Sequence, residues 1–291
     1  MATLSTNQTA RITALINYLD QGSAGKTIDD TVANELARIF GSSCGFKCGC
    51  PGTFLEGLRD APYSTLLKLL VCSEGSAAAA ARGADTNSLN IFSLYLKSFG
   101  VLAGTTITNT GGSVVTGDLG LSPGTSVTGF PPGTVTGAQH VTDTAAANAQ
   151  LALTAEYLIA AGQTPGTVVS GNIGGQTLPP GTYTSASTLA ISSGNLTLDG
   201  GGNPNAAWLF QVGSTLTTTV GLNVILAGSA QAKNIVWQVG SSATLGVSTI
   251  FKGSILALTS ITVGTNANVE GRLLARNGAV TLDTNAVVVP A

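Results

Sequence analysis

Five short segments in the C-terminal part place a threonine beside aliphatic residues, and their spacing constrains the fold more than any other feature. The threonines are separated by 18, 29, 18 and 19 residues and are Thr197, Thr215, Thr244, Thr262 and Thr281. Side chains alternate between the two faces of a strand, so the aliphatic neighbours would point inward and the threonines outward. A period of about 20 residues that contains several short strands is typical of stacked coils. The pattern therefore predicts a solenoid with a threonine column on one side.

Two further strand-like segments accompany four of the five threonine segments. The preceding ones, such as Ala207–Val212 and Asn234–Val239, are apolar at almost every position, which is typical of strands covered on both faces. The following ones, such as Leu222–Leu226, are rich in aliphatic residues. Three strands per coil predict a mainly β domain over residues 93–291, a triangular β-solenoid whose threonine side is open to solvent.

One stretch of this region has helical character. The sequence from His140 to Ala161 is rich in alanine, contains neither glycine nor proline, and is followed by Gly162. We expect one helix of about 30 Å, lying alongside the stack and covering the apolar strands. Trp208 and Trp237 lie in those strands, so packing beneath the helix is a better interpretation than stacking on a sugar.

The open side is the candidate binding surface. β-Branching restricts the threonine side chain, so little rotamer freedom would be lost on adsorption. A flat, uncharged array suits a repeating surface better than a single small molecule, with Asp199 and Asp283 as acids at its edge. Exposed threonines are also common on solenoids without any ligand. The predicted face comprises Thr197, Thr215, Thr217, Ser242, Thr244, Ser260, Thr262, Ala279 and Thr281. Early strands near Thr106, Thr116 and Thr128 are candidates to extend it, although the sequence does not fix their coil order.

Residues 1–92 have a different character. They hold 15 of the 26 charged residues, and apolar residues recur at helical spacing, as in Ile12, Leu15, Ile16 and Leu19. This pattern predicts a small helical domain that precedes the solenoid.

All four cysteines lie in that first region. The spacing Cys44-x-x-x-Cys48-x-Cys50, with Cys72 further on, lacks the two-residue spacers that structural zinc sites usually have. Two disulfides are therefore favoured over zinc, and a free or intermolecular thiol is the remaining alternative.

Composition excludes several classes of function. A net charge of −2 provides no basic field for nucleic acid or anionic lipid, and no apolar run reaches the ~18 residues of a membrane span. The amino terminus shows no secretory signal pattern. No phosphate loop or nucleophile elbow occurs, so no cofactor is expected.

Catalysis receives little support from the residues. His140 is the single histidine, and its expected role is capping or local hydrogen bonding at the start of the helix. A solenoid that cleaves polysaccharide would need paired carboxylates. The candidates for such a pair are Asp118, Asp199, Glu270 and Asp283. We expect no enzyme activity.

Four blocks of the sequence closely resemble the microbial ice-binding protein family (DUF3494). They are Phe99–Gly111, Val115–Thr134, Trp237–Gly246 and Gly253–Thr262, and they occur in the family's order around one helix. The resemblance covers about residues 95–290 and implies a discontinuous right-handed β-solenoid with a helix alongside, in an extracellular protein that adsorbs to ice.

Family members often carry a Thr-Ala/Gly-x-Thr/Asn motif on the ice face. The nearest match here is Thr265–Asn268, which has Asn266 at the small-residue position. Residues 1–92 lie outside the family pattern.

Two functional hypotheses follow. The first is an extracellular or cell-surface antifreeze protein whose partner is the ice crystal and which inhibits ice growth or recrystallisation without chemistry. The second is a self-associating subunit of an extracellular filament or surface assembly, because an uncovered coil at the end of a solenoid favours end-to-end contacts.

Overall fold

The structure is a computed structural model that describes residues 96–290 apart from residues 164 and 165. In this part of the chain, 25 short strands and one long helix form a stack of coils, and all the strand pairs are parallel. The predicted helical domain at residues 1–92 and the four cysteines lie outside the described residues.

The first side of the stack is a nine-stranded sheet, here called the helix-side sheet. Most of its strands are buried at every position, as the apolar sequences predicted. In spatial order its strands are β7 (Gln139–Val141), β4 (Asp118–Leu121), β1 (Phe99–Ala103), β23 (Leu273–Ala275), β20 (Ser254–Ala257), β17 (Ile235–Val239), β14 (Trp208–Val212), β11 (Gly181–Ser185) and β8 (Thr167–Val168).

The second side is an eight-stranded sheet, here called the threonine sheet. Buried and more exposed residues alternate along its strands, which is typical of a sheet with one face in the core and one in water. Its strands are β5 (Ser126–Thr128), β2 (Thr106–Thr110), β24 (Val280–Asp283), β21 (Ile261–Val263), β18 (Ala243–Leu245), β15 (Leu216–Thr218), β12 (Leu189–Ile191) and β9 (Gly171–Asn172).

The third side consists of two shorter sheets. One contains β10 (Thr177–Leu178), β13 (Leu196–Asp199) and β16 (Val224–Ala227). The other contains β19 (Ile250–Lys252), β22 (Asn268–Glu270), β25 (Ala286–Val288), β3 (Val114–Thr116) and β6 (Thr134–Val135). The three sides confirm the predicted β-solenoid.

The order of coils in space differs from their order in the chain. The chain first forms two coils, β1–β3 and β4–β6, and after β7 the helix α1 (Thr144–Ala161) leads to β8 at the other end of the stack. Six further coils then build back from β8, and β23 of the last one pairs with β1 of the first. The solenoid is therefore discontinuous. The helix has 18 residues, which corresponds to about 27 Å.

The helix begins later than the sequence predicted. His140 lies in β7, and the N-cap is Asp143, whose carboxylate accepts the N–H of Ala146 at 2.8 Å. His140 contacts the same carboxylate, with Nδ1 at 2.7 Å. Asp143 is therefore the capping residue, because a short acidic side chain can accept the unpaired N–H groups of the first turn, and His140 has the local hydrogen bond that was the other expectation for it.

Two apolar clusters hold the coils together. One lies between the helix and its sheet, where Leu153 and Tyr157 pack on Leu209 and Val236. The other fills the inside of the solenoid.

The inner cluster includes both tryptophans, so the prediction that they pack beneath the helix was wrong. Their neighbours Leu209 and Val236 occupy that position, because the side chains of a strand alternate between its two faces. Phe210 and Trp237 stack with ring centroids 3.9 Å apart, and Tyr183 and Phe251 extend the stack on either side. This aromatic ladder supports successive coils from within.

Candidate functional site

The threonine sheet carries one outward column of six threonines in consecutive coils. Direct strand pairing aligns them in the order Thr217, Thr244, Thr262, Thr281, Thr108 and Thr128. Neighbouring strands lie about 4.8 Å apart, so the column is about 24 Å long. The inward-facing neighbours of these threonines, including Leu216, Ile261 and Val280, are fully buried in the core of the solenoid and anchor the strands there.

The threonines of this column keep their hydroxyls available to water. Thr108, Thr128, Thr244 and Thr262 are exposed, and the other two are half-buried. Among the described residues, none of the six hydroxyls forms a hydrogen bond with another protein group. The column therefore offers both a methyl group and an unused hydroxyl at each step.

The flanking column is partly tied into the backbone. It contains Thr215, Ser242, Ser260, Ala279, Thr106 and Ser126. The Ser242 hydroxyl accepts the N–H of Ser260 at 3.3 Å, and the Ser260 hydroxyl accepts the N–H of Ala279 at 3.2 Å. These bonds connect successive coils and hold the two serine side chains in place. Because the residues of the flanking column are small, they do not project far from the sheet.

The structure brings together most of the predicted face but not all of it. Thr197 lies on β13 of the third side, paired with Thr177 and Ile225, so its assignment to the face was wrong. Asp199 belongs to the same strand and was misplaced for the same reason. Thr215 lies on the predicted side but in the flanking column, because Thr217 is the residue in register with Thr244.

Sequence reasoning missed part of the central column. Thr108 was not identified, although Thr106 and Thr128 were candidates, and all three lie on the threonine sheet. Thr116 lies on the third side instead. The alternation of threonine along Thr106–Thr110 was a signal that could have identified this strand. Its pairing with β24, near the other end of the chain, left no signal in the sequence.

The face is nearly free of charge. Its outward positions are occupied by threonine, serine, alanine, glycine or asparagine, and among the outward positions that the structure describes Asp283 is the one ionisable residue. Its carboxylate accepts hydrogen bonds from the Thr265 hydroxyl and, at 3.2 Å, from the Thr284 hydroxyl. The acid is therefore held at the edge by its neighbours.

The candidate carboxylates for catalysis do not converge. Asp118 is on the helix-side sheet, Asp283 on the threonine sheet, and Asp199 and Glu270 on the third side. Glu270 pairs with Lys252 at 2.6 Å, and Asp118 accepts the N–H of Ala138 at 2.8 Å. Over the described residues no group of three or more His, Cys, Asp or Glu side chains is arranged to hold a metal ion.

The nearest match to the Thr-Ala/Gly-x-Thr/Asn motif lies at the turn between two sides. Thr265 follows β21 of the threonine sheet, whereas Asn268 is on β22 of the third side. The two ends of the motif therefore do not share one face.

The family model described as ice-binding-like matches residues 101–288. The chain belongs to the ice-binding-like family. An ice-binding protein of Nostoc sp. (strain HG1) is 50% identical over 192 residues, covering 65% of this chain and 71% of the relative. An ice-binding protein of Flavobacterium frigoris (strain PS1) is 38% identical over 213 residues, covering 66% of this chain and 74% of the relative.

Solved structures agree with this family assignment. A crystal structure of an ice-binding protein from an Antarctic biological consortium is 52% identical, with a TM-score of 0.68, and the match covers 69% of this chain and 91% of that one. An ice-binding protein from an Arctic yeast is 30% identical, with a TM-score of 0.66, over 70% of this chain and 97% of that one. No helix among the described residues is long and apolar enough to cross a membrane.

Proposed function

We propose that this member of the ice-binding-like family adsorbs to ice through the threonine sheet and thereby inhibits ice growth or recrystallisation. The observation that carries the proposal is the column of six threonines in register, with hydroxyls free of protein partners. Its relatives named for ice binding support the same assignment.

The chemistry of the column suits an ordered water surface. Each methyl gains by leaving liquid water, and each hydroxyl can join a hydrogen-bonded layer. One contact contributes little free energy, but a rigid array makes many contacts at once. Their free energies add, so their effects on the affinity multiply. No covalent step is involved, and we propose no enzyme activity and no cofactor.

We propose an extracellular or cell-surface location, because a face that adsorbs to ice must be accessible to ice crystals. The comparisons favour adsorption over the filament hypothesis, since the relatives and the solved structures are named for ice binding. Size-exclusion mass combined with ice-crystal shape separates the two: a monomer that shapes crystals supports adsorption, and a polymer without effect on crystals supports assembly.

The decisive experiment replaces Thr244 and Thr262 with tyrosine and measures thermal hysteresis. Two bulky rings would hold the flat column away from the ice, so we expect most of the activity to be lost. The matched control is Thr134→Tyr, an exposed strand threonine on the third side, which should retain activity. Full activity in a folded double variant would exclude this sheet as the ice site.

A further inference from the structure

The turn from the threonine sheet to the third side repeats from coil to coil. Its turning residue donates its N–H to a carbonyl of the next coil at 2.9 to 3.1 Å, in the pairs Gly221 to Val247, Ser248 to Thr265, Asn266 to Asp283, and Thr284 to Thr110. Each of these turning residues has a positive φ, as does Gly111 at the corresponding turn of the following coil. The turns therefore form a ladder of left-handed residues along one edge of the threonine sheet.

Glycine is the ordinary residue for this backbone, because it has no Cβ to clash with the carbonyl. The chain uses glycine at the outer turns, Gly221 and Gly111, with φ of 71° and 78°. The three turns between them carry Ser248, Asn266 and Thr284, with φ of 57°, 59° and 55°. Asparagine tolerates the left-handed region, but a β-branched threonine there is a genuine outlier. In the described part of the chain, exposed polar residues adopt the same backbone at Thr142 and Ser229, but only at this edge do they recur in three consecutive coils.

The three side chains are placed to meet a surface. Ser248, Asn266 and Thr284 are exposed, and they belong to the coils that carry Thr244, Thr262 and Thr281. Among the described residues the side chains of Ser248 and Asn266 have no hydrogen-bond partner, and the Thr284 hydroxyl, which lies beside Gly111, donates only to the Asp283 carboxylate at 3.2 Å.

Two of the residues that precede this ladder are exposed valines. Val220 and Val247, which precede Gly221 and Ser248, are 63% and 40% exposed. These valines place methyl groups beside the ladder at two coils, whereas the corresponding residues of the next two coils are the half-buried Thr265 and Asp283.

We propose that Ser248, Asn266 and Thr284 form a second ice-contact ladder, which continues the threonine face around the corner and broadens the set of ice planes that the protein recognises. This inference rests on the proposed function. The support for it is the recurrence of exposed, left-handed polar residues in three consecutive coils beside the central column, since backbone strain of this kind often marks functional positions.

The test compares two variants that both relieve the strain. The first, Ser248→Gly with Asn266→Gly and Thr284→Gly, removes the polar side chains. The second, Ser248→Asn with Thr284→Asn, keeps polar side chains that tolerate this backbone. Thermal hysteresis and the ice planes labelled by fluorescent protein are measured near 0 °C, after circular dichroism has shown both variants to be folded.

We expect the glycine variant to lose about twofold in thermal hysteresis and to label fewer planes, because about a third of the contact positions are gone. The asparagine variant should keep the parent's activity and planes. Equal activity and equal planes for the two variants would overturn the inference. Failure of the proposed function is distinguishable, since the tyrosine variant in the central column would then also keep its activity.

Discussion

The methyl groups of the central column are expected to supply much of the adsorption free energy. The perturbation is a triple replacement of the exposed residues Thr108, Thr244 and Thr262 by serine, which removes one methyl at each site and keeps each hydroxyl. A buried methyl contributes about 0.8 kcal/mol, and a flat surface covers about half of it. Three sites then amount to about 1.2 kcal/mol, or roughly eightfold in affinity for ice.

The assay is the protein concentration that stops recrystallisation, which should rise about eightfold in the serine variant. A parallel variant with valine at the same three sites keeps the methyls and removes the hydroxyls, and it should remain closer to the parent. Exposed strand substitutions of this kind change stability by about 0.5 kcal/mol or less, so folding should not confound the comparison. If the valine variant loses activity while the serine variant keeps it, the hydroxyls dominate and this reasoning is refuted.

Three further predictions concern the framework. Trp237→Ala, which removes the ring stacked on Phe210, should lower the free energy of unfolding by about 3–5 kcal/mol, as measured by denaturant titration. The hydrogen bond from Ala146, and then that from His140, lower the pKa of Asp143, so this residue stabilises the fold above its ordinary pKa. The melting temperature should fall as the pH drops below about 4, and Asp143→Asn should reduce that dependence. Gly104→Val would overlap the Arg276 carbonyl, so it should cost about 1–3 kcal/mol by thermal melting and lower hysteresis. The control Gly112→Ala meets no atom within 4 Å and should change neither.

The sequence predicted the coils and the helix because both leave periodic patterns that depend on local residues. Thr244, Thr262 and Thr281 were identified because two consecutive coils have nearly equal length, with intervals of 18 and 19 residues. Thr197 was misassigned because a threonine between leucines fits an outward strand position on either open side. In its coil the residue in register with Thr217 is Ala190, which no threonine pattern could reveal.

The discontinuity could not be predicted from periodicity at all. Pairing of Val101 with Leu273 joins residues more than 170 positions apart, and no local pattern encodes that contact. The family resemblance implied it, but the residues themselves did not. Thr108 was missed for this reason, since its place in the column depends on its pairing with Thr281.

Closure of the stack between the first and last coils determines the length of the face. Without the pairing of β1 with β23, the column would end at Thr281 with four threonines, and docking of the first two coils adds Thr108 and Thr128. The free energies of contacts on a rigid array add, so loss of the last two would remove about a third of the contact free energy and lower the affinity by a multiplicative factor. Opening of these two coils would leave six coils stacked while shortening the face. Ice affinity should therefore be more sensitive than overall secondary structure to disruption at this junction.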